Sequence, residues 1–106
     1  DGNLYSGSED GQLVMWTREA SQLQPRVLLS AAAPITALCI DSSVYAGCSD
    51  GTVVAVTNHQ LSTHSPYGTV FALTLHDGLL LAGHSNGRIS VYTASLRYIK
   101  SIDTPT

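Results

Sequence analysis

The side chains of this 106-residue chain that could do chemistry are four histidines, two recurrent aspartates and a scatter of serines. A metal centre needs imidazole, thiolate or carboxylate groups spaced so that three or four converge. His59, His64, His76 and His84 have no His-x-x-x-His or Cys-x-x-Cys companion and fall in different loops or strands, so they read as solvated or loop residues rather than ligands. Asp10 and Asp50 each precede a glycine, which marks turns rather than a paired acid and base. Ser6, Ser8 and Ser49 lie near Asp and Gly, but no Gly-x-Ser-x-Gly elbow between a strand and a helix holds them. No Gly-x-x-x-x-Gly-Lys phosphate cradle occurs either. The expectation is a chain with no catalytic, cofactor-binding or metal site.

What must position these residues is a repeat. The segments LYSGSEDGQLVMW (4–16), VYAGCSDGTVVAV (44–56) and LLAGHSNGRISVY (80–92) superpose without gaps on Gly7, Gly47 and Gly83. The same alignment brings together Asp10, Asp50 and Asn86, then Gly11, Gly51 and Gly87, then Leu13, Val53 and Ile89, and finally Trp16, Val56 and Tyr92. In each copy, apolar runs rich in strand-forming residues flank an Asp-Gly or Asn-Gly step, the strongest short hairpin signal. The glycine supplies a positive φ that a Cβ resists, and the preceding Asp or Asn can bond the amides that follow. These residues are therefore structural.

Further strands are expected at 34–40 and 69–75 upstream of the second and third copies, and around 25–29, 61–65 and 98–102 downstream of each. Residues 41–43 and 76–78 supply short turns between antiparallel neighbours. Each unit is thus four short strands, except that the first lacks its inner strand, and the units run approximately 1–30, 31–65 and 66–106. Helical periodicity is not sustained; the best rival, Ala31 to Ala33, stops at Pro34.

Charged residues are only 12% of the chain and the net charge is -3, so no electrostatic footprint for nucleic acid is present. No apolar run approaches the roughly 18 residues that suggest a membrane-spanning helix. Cys39 and Cys48 do not make a disulfide framework, which fits a reducing, intracellular setting, cytoplasmic or nuclear. A hairpin of 35–40 with 43–48 around Asp41 and Ser42 would set Cys39 opposite Val44. At about 3.3 Å per residue that is roughly 13 Å from Cys48, too far for a bridge, so free, buried thiols are expected. Tyr5, Trp16, Tyr45, Phe71 and Tyr92 sit at strand positions that need bulky filler, and core packing is expected of them. Glu9, Tyr67, His84 and Arg88 instead differ between units while the frame is kept. Loops on a rigid scaffold carry specificity, which makes these four the candidate partner-binding residues.

Four-strand units of about 40 residues resemble β-propeller blades, and the Gly-Ser-x-Asp-Gly-x-apolar-x-apolar-Trp pattern of Gly7 to Trp16 is similar to the WD-repeat family. The resemblance implies an all-β fold of about three blades, part of a larger or oligomer-completed propeller. In that family a turn Asp, a strand Trp, a strand hydroxyl and a His from a Gly-His pair form a buried network. Asp10, Trp16 and Ser6 or Ser8 match it in the first unit, and Asp50 in the second. Val56, Asn86 and Tyr92 depart from it, and no Gly-His pair precedes an inner strand. The resemblance further implies a non-catalytic scaffold whose partners are other proteins, together with the rest of the propeller or a second copy of the chain, and no cofactor. Two alternatives stand beside it. One is a quinoprotein-like or other propeller enzyme, such as a hydrolytic one, with catalytic groups in its central channel, GCSDGTVVAV suiting the quinoprotein-like hairpin too; the other is a purely structural subunit of a larger complex.

Overall fold

The computed structural model describes residues 3–57 and 60–103, so His59 lies outside the described residues. Three copies of one reversal set the frame. In each, the glycine amide donates to the carbonyl three residues earlier: Gly11 to Ser8 at 3.1 Å, Gly51 to Cys48 at 3.2 Å and Gly87 to His84 at 3.1 Å. The side-chain oxygen of Asp10, Asp50 or Asn86 accepts from the amide two residues on, at 3.2, 2.9 and 3.1 Å. The glycines stand at φ 86, 92 and 85°. The Asp or Asn is thus the third residue of the reversal and the glycine its fourth, a wider loop than a two-residue Asp-Gly turn. At Gly51 a side chain would also meet the Ser65 carbonyl, so conformation and space exclude a Cβ together.

Around these reversals the described residues form eleven strands. They are β1 (Leu4–Gly7), β2 (Gln12–Glu19), β3 (Gln22–Ser30), β4 (Ile35–Ile40), β5 (Val44–Cys48), β6 (Thr52–Val56), β7 (Gln60–His64), β8 (Val70–His76), β9 (Leu79–His84), β10 (Arg88–Thr93) and β11 (Tyr98–Asp103). Three antiparallel sheets result, in the orders β1-β2-β3, β4-β5-β6-β7 and β8-β9-β10-β11. Each strand pairs with its neighbour in sequence, because short turns leave no other partner within reach. Residues 31–33 link β3 to β4 and are not helical.

The middle sheet is covered on both faces. Tyr45, Val53 and Ala55 pack against Val70, Leu80, Ala82 and Tyr92 of the third sheet. Val44, Ala46 and Val54, on the alternate positions, pack against Leu13 and Leu29 of the first. All five residues of β5 are buried as a result. Sheet contact is closest where an inner strand meets a glycine: a Cβ on Gly7 would collide with Ile35, and one on Gly47 with Val70.

Several expectations are corrected. Cys39 lies opposite Tyr45, not Val44, because the turn spans 41–43 and Ile40 pairs with Val44. That register puts Cys39 on the face toward the third sheet and Cys48 on the face toward the first. Both thiols are free; Cys48 is buried but Cys39 only half-buried, and burial pushes both above the ordinary thiol range. Phe71 is not core: it is the extra residue of a bulge between Val70 and Ala72 and is 65% exposed. Trp16 and Tyr5 are half-buried, whereas Tyr45 and Tyr92 are buried. Trp16 pairs with Leu4 and Pro25 on the face of the first sheet that no other sheet covers. No helix among the described residues is long and apolar enough to cross a membrane.

Candidate functional site

The links between sheets are equivalent in origin and different in outcome. Ala31 donates its amide to the Gly11 carbonyl at 2.8 Å, and Ser65 does the same to Gly51 at 3.1 Å. Residues 31–34 then reach β4 directly, while 65–69 take one residue more to reach β8. The longer link accommodates Gly68 at φ 90° and lays Tyr67 over the third sheet.

His84 anchors that link. It is the last residue of β9 and is buried, which corrects its reading as a solvated loop residue. Its Nδ1 lies 3.0 Å from the Gly68 carbonyl, which can only accept, so in the neutral ring Nδ1 carries the proton. Nε2, 2.9 Å from Ser90 Oγ, therefore accepts from that hydroxyl. Ser90 in turn lies 3.4 Å from Ser65 Oγ, and both serines act on the Tyr92 phenol. Burial raises the Tyr92 phenol above its ordinary range against the opposing pull of these bonds. The connectivity of His84 and Ser90 is that of a base and a nucleophile. Ser90 is 0% exposed, however, and the imidazole leans on a backbone carbonyl rather than a carboxylate, so the pair is arranged as a staple between link and sheet.

Above this staple the polar groups converge at the surface. The Arg88 guanidinium stands 4.7 Å from the centre of the Tyr67 ring, and that ring meets His84 edge-on at 5.8 Å. Arg88 Nε donates to Asp103 Oδ1 at 2.8 Å. Tyr98, T-shaped against Tyr92 at 5.9 Å, shares a 2.6 Å hydrogen bond with Ser101. The Tyr67 hydroxyl reaches Ser101, Arg88 and Tyr98, and its bond with Ser101 above all holds the phenol below its ordinary range. Beside these groups opens a cleft of about 220 Å³ lined by Thr63, His64, Ser65, Pro66, Tyr67, Tyr92 and Tyr98.

The junction of the first and second sheets has a cleft of about 210 Å³ at the corresponding place. Its walls are Leu29, Ser30, Ala31, Ala32 and Ala33 with Cys48, Asp50, Thr52, Val54, Gln60 and Ser62, and no aromatic ring.

Three of the four residues singled out by their departure from the repeat, Tyr67, His84 and Arg88, thus meet at one junction; Glu9 sits alone on the exposed reversal between β1 and β2. The expected network of the first unit is split in two. Trp16 Nε1 donates to Ser6 Oγ at 3.0 Å on the uncovered face, whereas Asp10 accepts from Ser8 and the Gln12 amide within the exposed turn. Those bonds lower the Asp10 carboxyl below its ordinary range, the Ser8 hydroxyl most. His64 Nε2 meets the Asp50 carbonyl at 2.9 Å, and His76 an exposed Asp77 carboxylate at 3.3 Å. No group of three metal-ligating side chains occurs among the described residues. Sequence reading passed over Ser90, Tyr98, Ser101 and Asp103. Ser90 could have been found, because it interrupts the column of Val14 and Val54; the other three lie on an outer strand whose register no turn signal announces.

No protein-family model matches the chain, and no curated protein does. Solved structures do. The WD40 β-propeller domain of Doa1 superposes with a TM-score of 0.84 at 18% identity, over 98% of this chain and 38% of that one. A chain of the Mitotic Checkpoint Complex gives 0.80 at 18% identity, over 96% and 35%. The computationally designed Ika4 protein gives 0.72 at 27% identity, over 88% and 61%. The chain therefore has the fold of WD40 β-propeller blades and spans a little over a third of the natural propellers it matches.

Proposed function

We propose that this chain is a run of three propeller blades, approximately 1–30, 31–65 and 66–106, serving as a non-catalytic protein-interaction scaffold whose contact point is the cleft between the second and third. The observation that carries the reading is the pair of matched clefts. The one without aromatic rings meets the needs of the fold, so the rings, hydroxyls and guanidinium gathered at Tyr67, Arg88 and Tyr98 are surplus to folding. Their anchoring preorganises them: Arg88 is held by Asp103 and Tyr67 by its stack, so binding loses little side-chain freedom. The presence of one such neighbour in a multi-protein assembly, the Mitotic Checkpoint Complex, supports the same reading.

The scaffold continues, in this proposal, into further blades of the same polypeptide. Gly83 holds the place that Gly7 and Gly47 hold, yet a Cβ there would meet only Ala72 at 3.8 Å, leaving free the seat that Ile35 and Val70 take at the other two. The outward faces bear Leu4, Leu23 and Val27 on the first sheet and Phe71 and Ile102 on the third, all exposed. Leaving such side chains wet forgoes about 1.5–3 kcal/mol each. The share of each natural neighbour that the chain spans supports blades from one polypeptide. If so, the 106-residue chain by itself sediments as oligomers or melts without cooperativity; a sharply melting monomer would dispose of the continuation.

A photoreactive phenylalanine analogue at position 98 of the full-length protein tests the contact point. Cross-links to other polypeptides that vanish when Tyr67→Ala and Arg88→Ala are added are expected. Cross-links indifferent to both substitutions would count against the cleft.

A further inference from the structure

We infer that the tyrosine-lined cleft takes an extended, proline-containing peptide in the polyproline II conformation, an inference that rests on the scaffold reading and specifies its ligand. Size comes first. At about 220 Å³ the cleft is smaller than the roughly 300–1,000 Å³ of small-molecule sites, and suits one or two side chains of a longer ligand. The walls come next. Tyr67, Tyr98 and Pro66, backed by the buried Tyr92, present ring faces and edges, the surface on which a proline ring packs while giving up little entropy, since its backbone is already rigid.

Hydrogen-bonding capacity then selects the backbone. Around the mouth, the guanidinium of Arg88 only donates and keeps N–H groups beyond the one given to Asp103, while the hydroxyls of Tyr67, Tyr98 and Ser101 donate or accept, Tyr98 and Ser101 already sharing one bond. A peptide in polyproline II offers carbonyls and, at its prolines, no N–H, so a mouth rich in donors suits it. A β-strand ligand would bring N–H groups that need acceptors. Strand addition along β11 is disfavoured besides, because the β10–β11 pairing shifts register between Val91 and Tyr92, and a bulged edge is a poor template.

The matched cleft supplies the internal control. With Gln60 where the other has Tyr98, and alanines along the link where the other has Pro66 and Tyr67, it has the volume without the stacking surface, and should select nothing.

The test is selection of a phage-displayed library of random 12-residue peptides on the full-length protein, with affinities then measured by fluorescence polarisation. Tyr98 is 51% exposed, so Tyr98→Ala should fold, and its melting curve checks that. Proline-enriched peptides are expected that lose about tenfold or more in affinity with Tyr67→Ala or Tyr98→Ala, as interface anchors do, and are unchanged by Gln60→Ala in the other cleft. Tyr98→Phe, which keeps the ring and removes the donor, should give a smaller loss. Selected peptides that depend on the cleft but lack proline would overturn the inference and leave the scaffold reading standing. Absence of any cleft-dependent peptide would overturn it too, and the cross-linking at position 98 would then judge the scaffold reading separately.

Discussion

The two sheet junctions are built on one plan and filled with different chemistry. Between the first and second sheets the buried contact is aliphatic, through Leu13, Leu29, Val44, Ala46 and Val54 with the half-buried Tyr5 packed against it, and the cleft beside it has alanines and polar side chains but no aromatic ring. Between the second and third, Tyr45 and Tyr92 share the core with a His84–Ser90–Ser65 chain, and the cleft is lined by tyrosines. Ser90 stands in the column of Val54, and His84 in that of Cys48. The lesson is that a blade junction tolerates polar groups when they come as a set in which every member is bonded. Among the described residues no buried side-chain nitrogen or oxygen lacks a partner.

Moving one member of the set to the wrong junction should be the most damaging change. Val54→Ser plants a hydroxyl where Cys48 and Ala31 stand in place of His84 and Ser65, and removes packed methyl groups, for an expected loss of about 3 kcal/mol in urea unfolding of the full-length protein. A loss under about 1 kcal/mol would mean that the aliphatic junction is as permissive as the polar one.

Breaking the set where it belongs comes next. Ser90→Ala leaves the buried His84 Nε2 without its donor and should cost about 2 kcal/mol, with Ser65→Ala costing less because its 3.4 Å bond is the longest in the chain. Equal effects would show that the order of the hydrogen bonds is wrong.

The reversals let the junctions be compared through the backbone. Gly51→Ala must place a Cβ at φ 92° against the Ser65 carbonyl and should lose about 2 kcal/mol. Gly78→Ala, at φ 77° with nothing near, should lose about 1 kcal/mol.

Acid sensitivity is a smaller effect. The Thr52 amide, above all, holds the Asp50 carboxyl below its ordinary value of 3.8. A lowered folded-state pKa contributes stability that is present above that value and lost as pH falls through and below it. Asp50→Asn keeps the acceptor, as Asn86 does naturally, so stability at neutral pH should hold while its dependence on pH below about 4 flattens. An unchanged acid limb would sink the assignment.

Least of all, Tyr67→Ala should change stability by under about 0.5 kcal/mol, since the ring lies over the surface of the third sheet rather than within the core. A large loss would make Tyr67 part of the framework and remove the contrast between the clefts.

The sequence by itself determined the repeat, its reversals and the alternation that buries the strands. These rest on local physics: the Asp-Gly or Asn-Gly steps at 10–11, 50–51 and 86–87 fix each turn within a few residues, and period-two patterning chooses the faces. Its misreadings lie one step further out. A turn one residue longer than supposed moved Cys39 from Val44 to Tyr45, and a bulge turned Phe71 from filler into a surface residue. Only the tertiary structure decided that Tyr67, His84 and Arg88 share a site with Tyr98, Ser101 and Asp103 while Glu9 stands apart. Convergence depends on how sheets stack and on the register of β11, and these are set by contacts between residues far apart in the chain, which no single turn or period encodes.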